Sequence, residues 1–226
     1  MAVLERKPVE PKVPLEVICG QLGALETNCY IVYSPKTKEA VVIDPGAEAD
    51  VILDILKERD LKLTAVLLTH GHVDHMGALA DLREAVGTTN LKVFASAIEQ
   101  EVLMVADYNL TGWTGEKYTT HANCLFKQKK EQYEILGEKM WFVLTPGHTK
   151  GSCCYYFPEY GWLFSGDTLF QGSIGRTDLP TGNAKDMDAS LNNILMTFPD
   201  EIRVFPGHGP ATTIGDERKN NPYVRK

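Results

Sequence analysis

The sequence predicts an α/β protein that folds as a four-layer αββα sandwich. The chain has two successive halves, and in each half apolar strand segments alternate with amphipathic helices. In both halves the apolar segments end in turns that contain Asp, His, Gly or Pro. We therefore expect two sheets packed together with helices on their outer faces, and a functional site along the edge where those strands end.

The first half is predicted from the periodicity of its apolar residues. In chain order we expect strands at 15–19, 27–33 and 39–43, a helix at 48–59, a strand at 65–68, a helix at 78–86 and a strand at 92–95. Ser96 is expected to cap the next helix, with Glu99 completing a capping box three residues later. The pattern is lost over residues 106–130, which favours a loop over the site, with a less regular helical stretch as the alternative.

The second half repeats this arrangement. Strands are expected at 141–144, 155–157, 162–164 and 203–205, and a helix at 186–198. Cys153 and Cys154 are neighbours in a strand, so their side chains point to opposite faces and are predicted to be packing residues. The five cysteines form no C-x-x-C pair, which favours free thiols in a reducing cytoplasm over a disulfide framework.

Length and charge limit the kind of protein that this sequence encodes. The 226 residues are enough for one domain, predicted at 14–226 after a flexible tail at 1–13. The formal net charge of −7 argues against a nucleic-acid partner, because binding phosphate needs clustered Lys and Arg. No segment approaches the roughly 20 apolar residues of a membrane span, and the N-terminal residues lack the apolar core of a secretory signal. We therefore predict a cytoplasmic protein with no membrane partner.

The segment 69–77, THGHVDHMG, concentrates potential metal ligands directly after an apolar strand. It contributes His70, His72, Asp74 and His75 to one strand-to-helix turn. Histidines crowded in this way repel one another when protonated, so the cluster indicates neutral ligands around a cation. Five of the six histidines lie in strand-end turns, and the sixth, His121, is assigned to a surface or loop role.

Four further polar residues follow apolar strands, namely Asp44, His148, Asp167 and His208. Any one of them alone would be interpreted as an ordinary turn residue, and Asp44 before Pro-Gly fits that interpretation most readily. Together with the histidine run, however, they predict a metal site. Histidine and carboxylate ligands suit zinc, iron or manganese, so the ligand types do not select one metal.

The order H-x-H-x-D-H, G-H-T, S-G-D and P-G-H-G resembles the metallo-β-lactamase fold superfamily over nearly the whole chain. The resemblance implies that His70, His72 and His148 bind one metal ion, that Asp74, His75 and His208 bind a second, and that Asp167 bridges the two. It implies two divalent ions, with zinc preferred, and a hydroxide between them that Asp74 and Asp167 orient for catalysis. Asp44 would lie behind the site and accept a histidine N–H.

Within this superfamily the segment 172–178, GSIGRTD, and the segment 206–210, PGHGP, are similar to the short bacterial glyoxalase II-like proteins. That resemblance implies a hydroxyacylglutathione hydrolase, which cleaves the thioester S-D-lactoylglutathione to D-lactate and glutathione. Longer glyoxalase II enzymes have Lys and Tyr where this chain has Arg176 and Asp178, and they carry a C-terminal helical extension. Arg176 is predicted either to bind a substrate carboxylate or to brace the loop against Asp178, and Lys150 has the same two interpretations.

The sequence is also compatible with other activities. The resemblance also extends to persulfide dioxygenases, which would use one iron at His70, His148 and Asp167, although PGHGP favours the hydrolase. Hydrolysis of another ester or a lactone, and a metal-binding module without turnover, are further alternatives. The commonest zinc β-lactamases have Cys where Asp167 stands, which disfavours that activity. The predicted partner is a small-molecule thioester linked to glutathione, and the oligomeric state is not predicted.

Overall fold

The computed structural model describes residues 13–87, 91–114 and 117–225. Its first sheet contains six strands that are neighbours in chain order. They are β1 (Glu16–Leu22), β2 (Thr27–Tyr33), β3 (Glu39–Ile43), β4 (Lys62–Leu67), β5 (Lys92–Ser96) and β6 (Cys124–Phe126). The second sheet also has six strands, in the order β12-β11-β10-β9-β8-β7. They are β7 (Lys130–Ile135), β8 (Glu138–Leu144), β9 (Cys153–Phe157), β10 (Trp162–Gly166), β11 (Arg203–Pro206) and β12 (Thr212–Thr213).

Helices connect the strands and cover the two sheets. The α-helices of the described residues are α1 (Ala49–Glu58), α2 (Val73–Met76), α3 (Leu79–Val86), α4 (Gln100–Met104), α5 (Thr111–Thr114), α6 (Ala184–Ala189) and α7 (Ile214–Asn220). None of these helices is long and apolar enough to cross a membrane. The predicted tail at 1–13 lies, apart from Val13, outside the described residues.

Three clusters of buried side chains define the layers. Between the sheets, Tyr30 and Phe142 belong to an aromatic-rich core that also includes Cys153. On the outer face of the first sheet, Ile52 of α1 and Leu79 of α3 belong to a second cluster. Cys154 belongs to a third cluster on the outer face of the second sheet, together with residues of and after α6: Met187, Leu191 and Leu195. The four-layer αββα sandwich is therefore confirmed, and the adjacent cysteines pack on opposite faces as predicted.

The strand directions place the site. Strands β3, β4, β5 and β6 are parallel to one another, as are β10 and β11 in the second sheet. Parallel strands present their carboxyl ends at the same edge of a sheet, so the turns after them meet there. The two sheets are joined at this edge by backbone hydrogen bonds, including Cys153 N to Thr69 O at 2.9 Å and Asn28 N to Gly207 O at 2.7 Å.

Three sequence expectations differ from the structure. Residues 106–130 are not one loop, because the segment contains α5 and then β6, which extends the first sheet. The helix predicted at 186–198 begins at 184 and leaves α geometry at Ser190, continuing as a π turn and a 3₁₀ turn. The capping box is wrong: the Glu99 side chain bonds Gly71 and Thr149 and does not cap the helix.

Candidate metal centre

The candidate site lies at the edge where the strands of both sheets end. The histidine run follows β4, His148 follows β8, Asp167 follows β10 and His208 follows β11. Their potential ligand atoms form three groups in which all atoms lie within 4.8 Å of one another. The groups are His70, His72 and His148; His70, His75 and Asp167; and Asp74, His75 and His208. The structure therefore brings all seven predicted ligands together, while their assignment to individual ions stays a prediction.

Asp167 occupies the middle of the cluster. Its Oδ2 lies 3.5 Å from His148 Nε2 and 3.7 Å from His208 Nε2, and its Oδ1 lies 3.3 Å from His75 Nε2. Asp74 Oδ2 lies 3.2 Å from His208 Nε2 and 3.4 Å from His75 Nε2. One carboxylate thus adjoins both halves of the predicted ligand set, which is the position that a bridging ligand requires.

Hydrogen bonds fix which ring nitrogen of two histidines faces the site. His148 Nδ1 lies 2.7 Å from the carbonyl oxygen of Arg176, which can only accept, so Nδ1 carries the proton. His75 Nδ1 lies 3.0 Å from Asp44 Oδ2 and donates to that carboxylate. In the neutral ring each Nε2 is then left with a lone pair that points into the cluster.

Asp44 lies behind the cluster, in contact with the turn that carries the histidine run. Its Oδ1 accepts the Thr69 N–H at 2.8 Å, and its Oδ2 accepts the Thr69 hydroxyl at 2.6 Å as well as the His75 ring. Because the Thr69 hydroxyl is committed to Asp44, its oxygen is free to accept from His70 Nδ1 at 3.2 Å. One carboxylate therefore orients His75 directly and His70 through Thr69.

Burial and charge set the protonation of the histidines. Burial, with the neighbouring histidines, holds the pKa of His70 well below its usual range. Burial and the adjacent His148 lower the pKa of His72 to about 3. Burial also disfavours charge on His75, but Asp74, Asp167 and Asp44 outweigh it and raise its pKa. His70 and His72 are consequently neutral at pH 7 and available as ligands.

Unsatisfied polar atoms show that the cluster suits a cation. Buried side-chain atoms without a hydrogen-bond partner are uncommon in folded proteins. Among the described residues, four such atoms belong to this cluster: His70 Nε2, His72 Nε2, His75 Nε2 and Asp167 Oδ1. In addition, His72 Nδ1 and His148 Nε2 face each other at 2.8 Å, an approach that a shared proton or a common cation would satisfy. The donor set of imidazoles and carboxylates is the one that zinc, iron or manganese accepts.

Gly207 allows the end of β11 to approach the cluster closely. A Cβ atom at this position would lie 2.2 Å from Asp167 Oδ1 and 2.7 Å from His75 Cε1. Both distances are far below van der Waals contact, so only glycine fits here without moving a candidate ligand. The glycine before His208 in the PGHG motif therefore has a steric explanation.

A groove of about 460 Å³ opens above the cluster. Its floor is formed by candidate ligands, including Asp74, His148 and Asp167. Its walls are mostly apolar and come from several loops: Leu25, Leu110, Trp113, Phe170, Ile174 and Leu179. Trp113 is 64% exposed and Leu25 is 62% exposed, so both present apolar surface beside the groove. A larger cavity of about 790 Å³ lies elsewhere, lined by the amino-terminal ends of β3, β4 and β5.

The two predicted substrate contacts have different positions. Arg176 lines the groove, and its guanidinium makes two hydrogen bonds of 2.9 Å to the carboxylate of Asp178. Lys150 does not line the groove; it pairs with Glu101, and its Nζ lies 5.7 Å from the centre of the Tyr108 ring. Of these two cations, only Arg176 is placed to meet a ligand in the groove.

Two supporting residues were not found by sequence reasoning. The Thr27 hydroxyl donates to Asp74 Oδ2 at 3.0 Å, and Glu99 accepts hydrogen bonds from the turns that carry the histidines. Thr27 and Asn28 are polar residues at the start of a strand whose later residues are mostly apolar, and this change of polarity was the available signal. Glu99 lies three residues after Ser96, which is the spacing of a capping box. Because this local pattern explained the residue, its long-range contacts were not predicted.

This fold and this site define a class of metal-dependent α/β sandwich proteins. The family model described as the metallo-beta-lactamase superfamily matches residues 22–208, and the chain belongs to that superfamily. It is 32% identical to hydroxyacylglutathione hydrolase GloC of Haemophilus influenzae, over 89% of this chain and 94% of that protein. It is 34% identical to the probable metallo-hydrolase YqgX of Bacillus subtilis, over 90% of this chain and 94% of that protein. At this level the chain is a metallo-hydrolase of the superfamily.

Solved structures agree with the fold. BLEG-1 B3 metallo-beta-lactamase is 37% identical with a TM-score of 0.85, covering 92% of this chain and 99% of that one. TTHA1623 in a di-iron-bound form is 37% identical with a TM-score of 0.78, covering 91% and 99%. ETHE1 from Myxococcus xanthus is 33% identical with a TM-score of 0.71, covering 91% and 83%. The di-iron-bound neighbour and the ligand clusters support divalent metal ions in this protein.

Proposed function

We propose that the protein is a binuclear metal-dependent hydrolase of thioesters and that it cleaves S-D-lactoylglutathione to D-lactate and glutathione. The observation that carries this proposal is the position of Asp167 between two sets of ligand atoms. The likeness to a hydroxyacylglutathione hydrolase supports the choice of substrate. The proposal includes a cytoplasmic location, a small-molecule partner and no nucleic-acid or membrane partner.

The proposed ligands divide into two sites. In this proposal His70, His72 and His148 would hold one divalent ion, Asp74, His75 and His208 would hold the other, and Asp167 would serve both, with zinc as the preferred metal. When bound, these ions would lower the pKa of a coordinated water toward about 7 and polarise the thioester carbonyl.

The side chains of the site hold and orient the reacting groups. The carboxylates of Asp74 and Asp167 lie at the floor of the groove, where they can accept hydrogen bonds from a water and aim it at the acyl carbon. Thr27 fixes Asp74, and Asp44 fixes His75, so these groups are held before substrate binds. The leaving group is a thiolate, which departs without a strong general acid, in keeping with a floor made of candidate ligands.

The groove supports binding of the substrate through its apolar walls and one cation. Leu110, Trp113 and Ile174 can contact the aliphatic parts of an acyl-thiol substrate. Arg176 is proposed to bind a substrate carboxylate. To do so it must release Asp178, with which it forms an exposed ion pair. Lys150 has less support as a substrate contact, because it pairs with Glu101 outside the groove.

A persulfide dioxygenase with a single iron at His70, His148 and Asp167 is the second candidate. The likeness to a di-iron-bound protein favours iron as an occupant of such a site. Against it, His208 Nε2 lies 3.2 Å from Asp74 Oδ2, so a further ligand group is assembled that a single-iron site does not need.

The test is a substrate panel with the metal-loaded protein. We expect loss of thioester absorbance with S-D-lactoylglutathione, and little turnover of a β-lactam. Absence of thioester hydrolysis together with O₂ uptake on glutathione persulfide would replace the proposal with the second candidate.

Two variants test the ligand assignment within that assay. His72→Ala and Asp167→Ala should each abolish thioester turnover while circular dichroism shows the fold retained, because each removes a proposed ligand. Asp54→Asn, an exposed change on α1, serves as the control and should keep full activity. Full activity in either ligand variant would show that the assignment is wrong.

A further inference from the structure

Glu99 is a fully buried carboxylate that lies outside the candidate ligand set. It stands between β5 and α4 and is 0% exposed. Its Oε1 accepts the backbone N–H of Gly71 at 2.8 Å. Both of its carboxylate oxygens lie within 2.9 Å of the Thr149 hydroxyl, which donates to them.

The partners of Glu99 adjoin three of the candidate ligands. Gly71 is the residue between His70 and His72, and Thr149 directly follows His148. The turn after β4 belongs to the first sheet and the turn after β8 belongs to the second. One carboxylate thus connects the two turns whose imidazoles come together in the group His70, His72 and His148.

The contact is also sterically fixed. A Cβ atom on Gly151 would lie 2.4 Å from Glu99 N and 2.6 Å from Glu99 Oε2, so the backbone of the second turn packs directly on this residue. Burying a carboxylate without a cation is costly unless hydrogen bonds compensate. None of the ion pairs among the described residues includes Glu99. Lys150 attracts Glu99 electrostatically, but its ammonium group pairs with Glu101. The donors from the two turns therefore provide the compensation.

We propose that Glu99 is a positioning residue that holds the His70–His72 turn against the His148 turn, so that the three imidazoles face one cation. The inference rests on the proposed metal centre but not on the thioester substrate. Residues that orient ligands from behind typically change metal affinity by about 10- to 100-fold when they are removed. We expect an effect of that size at the three-histidine site.

The main test is the affinity of Glu99→Gln for Co²⁺ and Zn²⁺, measured by competition with a chromophoric chelator, together with the visible absorption spectrum of bound Co²⁺. Glutamine can still accept the Gly71 N–H through its amide oxygen. Its amide NH₂ group then faces the Thr149 hydroxyl, which donates to the carboxylate in the wild type. We expect binding of one ion to weaken about 10- to 100-fold and the Co²⁺ spectrum to change, because the ligand geometry is disturbed.

Two further variants make the outcome decisive. Thr149→Val removes only the hydroxyl donor and should weaken binding of the same ion. This variant keeps the inference testable if Glu99→Gln does not fold. Glu138→Gln changes a buried glutamate at the start of β8, at the opposite end of that strand, and should leave affinity and spectrum unchanged. Wild-type affinity and spectrum in folded Glu99→Gln and in Thr149→Val would overturn the inference, even if the thioester is hydrolysed. Failure of the wild-type protein to bind any divalent ion would overturn the inference and the proposed function together.

Discussion

At the scale of single residues, the site depends on carboxylates that are not proposed as ligands. Asp44 adopts a left-handed backbone conformation with φ of 51°, which Asp tolerates better than most residues. From that position it accepts from Thr69 and from the His75 ring. The ring nitrogen of His75 that faces the cluster is thereby determined before any metal binds.

Asp44→Asn tests this role. Asparagine has only one acceptor oxygen and no charge, so it cannot satisfy both Thr69 and His75 as the carboxylate does. We expect metal affinity to fall by about 10- to 100-fold with the fold retained. Competition with a chelator measures the change, and unchanged affinity would show that Asp44 is only a turn residue.

We expect Glu99 to make the free energy of unfolding depend on pH. Burial raises the pKa of Glu99 to about 7, although hydrogen bonds from Thr149, Gly71 and Gly151 oppose the shift. The unfolded chain releases this proton near the ordinary glutamate pKa of 4.5, and the folded chain releases it only near 7. Ionisation therefore favours the unfolded state as pH rises through this interval, and the stability contributed by the protonated group is present below it.

The prediction concerns the metal-free protein and its Glu99→Gln variant. Between pH 5 and pH 8 the wild type should lose about 2.5 kcal/mol of unfolding free energy relative to the variant. Urea unfolding at both pH values measures the difference between the two proteins, in which the other titrating groups cancel. A difference that does not change with pH would mean that Glu99 is ionised throughout.

At the scale of elements, the carboxyl ends of strands determine where the chemistry can occur. Strands β2 and β3 have the bounds predicted from their apolar residues, because buried strands with clear turns between them are specified locally. Strand β6 has three residues, and its identity as a strand depends on pairing with β5, which no local pattern encodes. Strand β7 was not predicted from the sequence, because its only apolar residues are Tyr133 and Ile135, although its burial alternates along the strand.

The position of α5 leads to a prediction about substrate binding. Trp113 on α5 lines the groove with most of its surface exposed. In Trp113→Ala we expect KM for a thioester to rise roughly fivefold to tenfold with little change in kcat, because apolar contact to bound substrate is lost. Steady-state kinetics measure both constants.

Met104→Ala is the matched control for that change. Met104 is an exposed apolar residue on α4, at 58% exposure, and it does not line the groove. Its KM should equal that of the wild type. Equal KM values in all three proteins would show that Trp113 does not contact the substrate.

At the scale of the whole molecule, the candidate centre is divided between the two sheets. The first sheet supplies His70, His72, Asp74 and His75, and the second supplies His148, Asp167 and His208. The ligand set was predictable because polar residues after apolar strands are visible in the sequence. The sequence did not allow us to predict the distances between these ligands, the walls of the groove or the contacts of Glu99, because all three depend on how the two sheets pack.

This edge of the sandwich is proposed to hold two metal ions with Asp167 between them. The most direct measurement is the number of divalent ions bound per folded chain, obtained by native mass spectrometry of the wild type and of His208→Ala. We expect two ions in the wild type and one in the variant, with thioester hydrolysis lost in the variant. One ion in both proteins would rule out the binuclear centre and favour the single-iron alternative.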